Sequence, residues 1–178
     1  MVETIYDYVI SKKLELVKPT IIVGGIKSTT IKAIDLTIIG RVQVNGTISA
    51  DKLTVIGHGL ASTIEVKEAY LIANGPLFID VLKANKALII GRRGSIIADF
   101  IEADTLFMER SYASRIVVQT LKLSWGVGIR ILENAREIVF YDPHVWFEEI
   151  RAENPAITYK YSIQKLSSAP QRLSREDS

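Results

Sequence analysis

The sequence has no cysteine, which excludes disulfides, thiolate metal sites and a cysteine nucleophile. Proline falls at only five places, so few segments are interrupted. No apolar run approaches the roughly 20 residues needed to span a membrane. The opening, MVETIYDYVISKK, carries acids and lacks a basic n-region, so it does not read as a signal peptide. Aromatics are sparse, which leaves aliphatic side chains, isoleucine above all, to fill the core. A dominant charge of one sign is also missing. The net charge of +2 comes from residues 151–178, where Arg151, Lys160, Lys165, Arg172 and Arg175 outweigh Glu153, Glu176 and Asp177. Elsewhere Lys and Arg are interleaved with acids. The basic face that tracks a nucleic-acid backbone is absent, and nucleic acid is not an expected partner. The simplest location is the cytoplasm.

What is present is a repeat. The segments IKAIDLTII at Ile31, ISADKLTVI at Ile48 and IEADTLFM at Ile101 share an aliphatic residue, an alanine two later and a second aliphatic residue three after that. Looser copies start at Val66, Leu82, Val118, Leu132 and Ile150. The second anchors are Leu36, Leu53, Tyr70, Leu88, Leu106, Leu123, Ile138 and Ile157, spaced 17, 17, 18, 18, 17, 15 and 19 residues apart, with a weaker earlier one at Ile21. Glycines at 24, 40, 57, 75, 91 and 126 mark turns three to five residues after most of them. Within each unit short runs such as RVQV and TIEV alternate, putting one apolar residue inward at every second position.

Three short strands per unit of about 17 residues describe one coil of a parallel β-helix. Stacked about 4.8 Å apart, about eight coils make a rod. Leu36, Leu53, Leu88, Leu106 and Ile138 are expected to form one core ladder. Ile38, Val55, Ile72, Ile90, Met108 and Trp125 are expected to form a second. The variable spacing fits a right-handed coil, since a left-handed hexapeptide coil needs near-multiples of six. The expected organisation is a cap or tail over 1–19, the β-helix over 20–166 and a disordered tail over 167–178. In the first segment Val2, Ile5, Tyr6 and Val9 fall at helical spacing, a face that suits either capping the domain or touching a membrane surface.

The run from IKAIDLTIIGRVQVNGTISADKLTVIGHG to EIVFYDP resembles the bactofilins, polymer-forming cytoskeletal proteins. LTIIGRVQVNGTISA is the closest stretch, and the resemblance covers about residues 20–145. The later coils, LFIDVLKANKA and MERSYASRIVVQT, depart from the pattern by lacking its glycines. The resemblance implies end-to-end assembly into filaments without nucleotide, with the chain itself as partner. Physics agrees, because a β-helix has two ends with unpaired backbone groups that a cap or another subunit must cover. Identical ends meeting through two-fold contacts would give a non-polar filament.

No residue pattern asks for a cofactor or metal. His58, between Gly57 and Gly59, invites comparison with the histidine base of left-handed β-helix acyltransferases, but the hexapeptide rhythm is missing. A three-histidine zinc site is unavailable, since His58 and His144 are the only histidines. Asp35, Asp51, Asp99 and Asp104 fall at different positions in their units and do not make an acidic cluster. VGGIKSTT lacks the spacing of a phosphate-binding loop.

The expected polymer interface comprises Ile21, Ile22 and Val23 at one end and Phe140, Tyr141, Trp146 and Phe147 at the other. The aromatics serve equally as a plug for the core. Residues 143–154 read either as a helix opened by Asp142-Pro143 or as part of the last coil, with ITYKYSI closing it. The residue after each anchor points outward, which makes Leu71, Ile89 and Phe107 an apolar outer stripe, covered by the N-terminal segment or free for a partner. The chain thus reads as a non-enzymatic cytoskeletal scaffold. The rivals are an acyltransferase-like enzyme using His58 and a binding module that does not polymerise.

Overall fold

The structure is a computed structural model, and it describes residues 1–161. The expected domain end at 166 and the tail at 167–178 lie outside the described residues. The described chain is all β: β1 (Glu3–Leu16), β2 (Thr20–Gly91), β3 (Ile96–Glu109), β4 (Ser111–Leu123), β5 (Val127–Glu133), β6 (Glu137–Phe140), β7 (Val145–Arg151) and β8 (Ala156–Tyr159). All pairings between these strands are parallel. They stack as a β-solenoid of about nine turns, with ~17 residues per turn. β2 runs unbroken through several turns.

The turns stack in columns, one residue per turn. Leu82, Ile101, Ile116, Leu132 and Ile150 form one column by register. Leu14 and Ile31 are paired in the same way at the other end. Ile48 and Ile64 join the two sets at matching positions, all four residues from Ile31 to Leu82 being fully buried. A second column is Ala87, Leu106, Leu121, Ile138 and Ile157, and a third is Ile89, Met108, Leu123, Phe140 and Tyr159. Each inward residue in the middle of the rod is packed from above and below as well as across the coil. That closes the core without any helix and concentrates its exposure at the two ends.

Glycine makes the stacking possible where the backbone approaches most closely. A Cβ on Gly57 would collide with the Gly40 carbonyl oxygen, and one on Gly59 with that of Val42. Gly59 also has φ of 130°, a region L residues rarely adopt. In the later turns, where corner glycines are fewer, Arg110, Asn134 and Asn154 take left-handed conformations.

Two expectations are corrected, and the choice left open at 143–154 is decided. Residues 1–19 are not a separate cap: β1 forms a full first turn, with Ile5, Val9 and Leu14 over Ile22, Ile26 and Ile31. Val2, Ile5, Tyr6 and Val9 therefore share no helical face. Residues 143–154 hold strand β7 rather than a helix; Asp142 accepts the His144 backbone N–H at 2.8 Å and turns the chain into it. Finally, Tyr70 and Leu88 are not core anchors, and neither Ile72, Ile90 nor Trp125 continues the second ladder. Ala69, Leu71, Ala87 and Ile89 are the buried residues there, whereas Trp125 is exposed and takes Arg110 over its ring at 5.1 Å. EAYLIA and KALIIG are apolar on both faces, and a slip of one residue exchanges inside and outside.

Candidate functional site

The two ends of the rod are where the sequence leaves its core open. At the N-terminal end Ile5, Val9, Leu14 and Leu16 are packed against the core on one side only. Tyr6, Ile10 and Val17 are exposed large apolar residues of the same turn. Lys12, Lys13 and Glu15 lie along its outer surface, with Lys13 and Glu15 paired at 2.8 Å. Hydrogen bonding to Lys13, and then its charge, holds the Glu15 carboxyl below the usual carboxylate range. Because β1 occupies this end, Ile21, Ile22 and Val23 are one turn inside it. Ile22 is fully buried beside Ile5, and Ile21 and Val23 are half-buried beside Thr4 and Tyr6. They are not an end surface, and the expected interface moves from them to β1.

The C-terminal end is formed by β7 and β8, and no described residue pairs beyond either strand. Its aromatics divide their roles. Phe140 fills the core column, with its ring stacked on Tyr159 at 5.4 Å and edge-on to Phe147 at 6.2 Å. Trp146 points outward, is 53% exposed and lies across Gly128. Tyr141 also points outward and meets Phe107 at 6.2 Å. Ile150, Ile157 and Tyr159 are each about half exposed. Glu148, Glu149 and Arg151 line the edge. Arg151 binds Glu149 at 2.7 Å and reaches back one turn to Glu133 at 3.2 Å. Arg115 contacts Glu133 from the other side at 2.7 Å. Hydrogen bonding to Arg115 first, then to Arg151, holds the Glu133 carboxyl below its usual range.

An outer apolar stripe exists, one residue out of step with the expected one. Leu71 and Ile89 are fully buried core residues, and Phe107 alone of the expected three faces outward. Its register neighbour is Leu88, with Lys122 beyond it. Tyr70 holds the equivalent half-buried position one turn earlier, and Ile56, Ile72 and Ile90 are half-buried beside this row.

Chemistry-bearing residues do not converge. His58 is an exposed corner residue packed beside Gly75, and among the described residues no carboxylate hydrogen-bonds to it. Asp51 pairs with Lys67 at 2.8 Å, and Asp104 accepts from Gln119 at 3.3 Å. Among the described residues no three His, Asp or Glu side chains gather as a metal site. A shallow corner groove is lined by Lys83, Glu102, Asp104, Gln119, Asn134 and Arg136, with Lys83 beside Glu102 at 3.9 Å. No helix among the described residues is long and apolar enough to cross a membrane.

Compared with protein-family models, with curated proteins and with solved structures, the chain matches none.

Proposed function

We propose that the protein is a non-enzymatic scaffold that assembles end to end into filaments without nucleotide, in the cytoplasm. One observation carries this reading: among the described residues the inward columns are closed on both sides in every middle turn and on one side only at the ends. Ile116, between Ile101 and Leu132, is fully buried, while Ile150, with Leu132 alone, is 47% exposed. Among the described residues the outer edges of β1, β7 and β8 also leave backbone donors and acceptors unpaired, a template for another strand. A second copy supplies both the missing apolar layer and the missing hydrogen bonds. The resemblance of LTIIGRVQVNGTISA to the bactofilins points the same way.

The test is electron microscopy of the purified chain at near-physiological salt with no nucleotide. Uniform thin filaments are expected. Ile150→Lys puts a charge on the open end with little packing lost in the monomer, and is expected to leave only short oligomers. A compact species in the wild type, or full-length filaments in the variant, contradicts the reading. A binding module that does not polymerise is the second reading, supported by the row of Tyr70, Leu88 and Phe107. Under that reading Leu88→Glu abolishes the protein's interactions; under the first it leaves filament length unchanged.

A further inference from the structure

Charges one turn apart meet in this fold. Lys83 stands in register with Glu102, with 3.9 Å between their charged atoms, and Arg130 reaches Glu148 at 4.0 Å. Parallel stacking makes the residues above and below a side chain its nearest lateral neighbours. The column that follows the inward residues Leu14 to Ile150 obeys this. It reads Glu15, Lys32, Ser49, Glu65, Lys83, Glu102, Val117, Glu133, Arg151, and no two like charges adjoin in it. The fold does not impose the alternation, since Asp80 and Asp99 adjoin in another column. The sequence supplies it.

Stacked copies would continue that pattern in the Glu15 to Arg151 column. Aligned by their place in the coil, with Leu14 on Ile150, the end strands are opposite at every charged position. Lys12 falls on Glu148, Lys13 on Glu149 and Glu15 on Arg151. The paired Lys13 and Glu15 would then lie against the oppositely ordered pair Glu149 and Arg151. Apolar positions match as well: Val9 on Val145, Ile10 on Trp146 and Leu16 on Ala152, with Ile10 itself 73% exposed. Only Ser11 on Phe147 is mixed.

We propose that copies of this chain stack head to tail in the register of the coil, with β7 of one copy pairing in parallel with residues 9–16 of the next. The seam rests on the end-to-end assembly proposed above and gives it a direction. It makes a polar filament, through heterologous contacts that do not close, in place of the non-polar one expected from identical ends meeting. A two-fold contact would instead run the Lys12 and Lys13 edges of two copies together, or their Glu148 and Glu149 edges.

One side of the coil carries an extra strand. β1 already makes a complete first turn, and β8 adds a further layer above β6. In the stacked register β8 and residues 3–5 of the next copy compete for the place beside Thr20 and Ile22. β8 is the better occupant, because it brings Ile157 and Tyr159 inward in register with Ile138 and Phe140. Residues 3–5 would bring the Glu3 carboxylate over buried Thr20. β8 therefore takes the place, and the first residues of the next copy are displaced.

Charge reversal tests the seam. Lys12, Lys13, Glu148 and Glu149 are all exposed, so K12E/K13E and E148K/E149K are expected to fold as the wild type does by circular dichroism. Each double variant alone is expected to lose filaments in electron microscopy. A 1:1 mixture is expected to regain them, because every contact then joins an acidic edge to a basic one. Wild-type filament lengths from either variant alone overturn the charge-matched seam. Failure of the mixture, with wild-type filaments present, overturns the head-to-tail direction but not end-to-end assembly. Absence of filaments from the wild type overturns both. Tyr159→Asp is expected to raise the concentration at which filaments appear and Ile5→Asp to leave it unchanged; the reverse order overturns the exchange by β8.

Discussion

The middle turns and the end turns of this rod are built from the same positions, and they differ in what those positions touch. Leu71, fully buried, sits in a turn with a neighbour on either side, whereas Leu14, at the equivalent of a core column, has Ile31 on one side and nothing described on the other. Burial in a solenoid is thus a property of the neighbouring turn as much as of the residue. The end residues carry core chemistry without core surroundings, and that shortfall is what a second copy can make good.

The largest expected effect sharpens this contrast in the monomer. Leu71→Ala is expected to cost about 2–5 kcal/mol in urea unfolding, as a fully buried truncation does. Leu14→Ala, closed on one side, is expected to cost about half as much. Equal losses would mean that the first turn is already covered in the monomer. Gly59→Ala comes next. It places a Cβ against the Val42 carbonyl at a φ where side chains are strained, and roughly 1–3 kcal/mol is expected from the backbone alone. Smallest are the outward residues: Leu88→Ala and His58→Ala are each expected to stay within about 0.5 kcal/mol. A large loss in His58→Ala would show that the corner is more than an exposed bend.

Acid tests the ionic ladder at the C-terminal end. The Glu133 carboxyl titrates below its usual range in the folded chain, so its stabilising effect is complete above the ordinary value of about 4.3. It is lost as pH falls through the lowered one. The melting temperature is therefore expected to hold from neutral pH to about pH 5 and to fall below about pH 4. Glu133→Gln is expected to begin lower and to fall less steeply. A parallel fall in both proteins would remove the ladder from the explanation.

The period of the coil was legible because Leu36 and Leu53 alternate with polar neighbours, so that one face declares itself. It became illegible at Tyr70 and Leu88, where both faces are apolar and alternation carries no parity. The outer stripe was lost to the same slip, since Leu71 and Ile89 stand one residue from the outward Tyr70 and Leu88. The N-terminal turn was hidden for a different reason: Ile5 and Val9 are inward residues on either side of a corner, and the corner breaks the period of two into something that mimics a helix. Phe140, Trp146 and Phe147 lie in the last described turns, where the sequence crowds its aromatics between 140 and 147. The charge match between Lys12, Lys13, Glu15 and Glu148, Glu149, Arg151 required the register, because residues so far apart in sequence share a column only once the turns have been counted.

Sedimentation of the purified wild-type chain over a concentration series, without nucleotide, tests end-to-end assembly most directly. Open-ended growth is expected, with average mass rising steadily with concentration and no finite oligomer favoured. A single species of fixed size across the series, whether monomer or closed trimer, would contradict it.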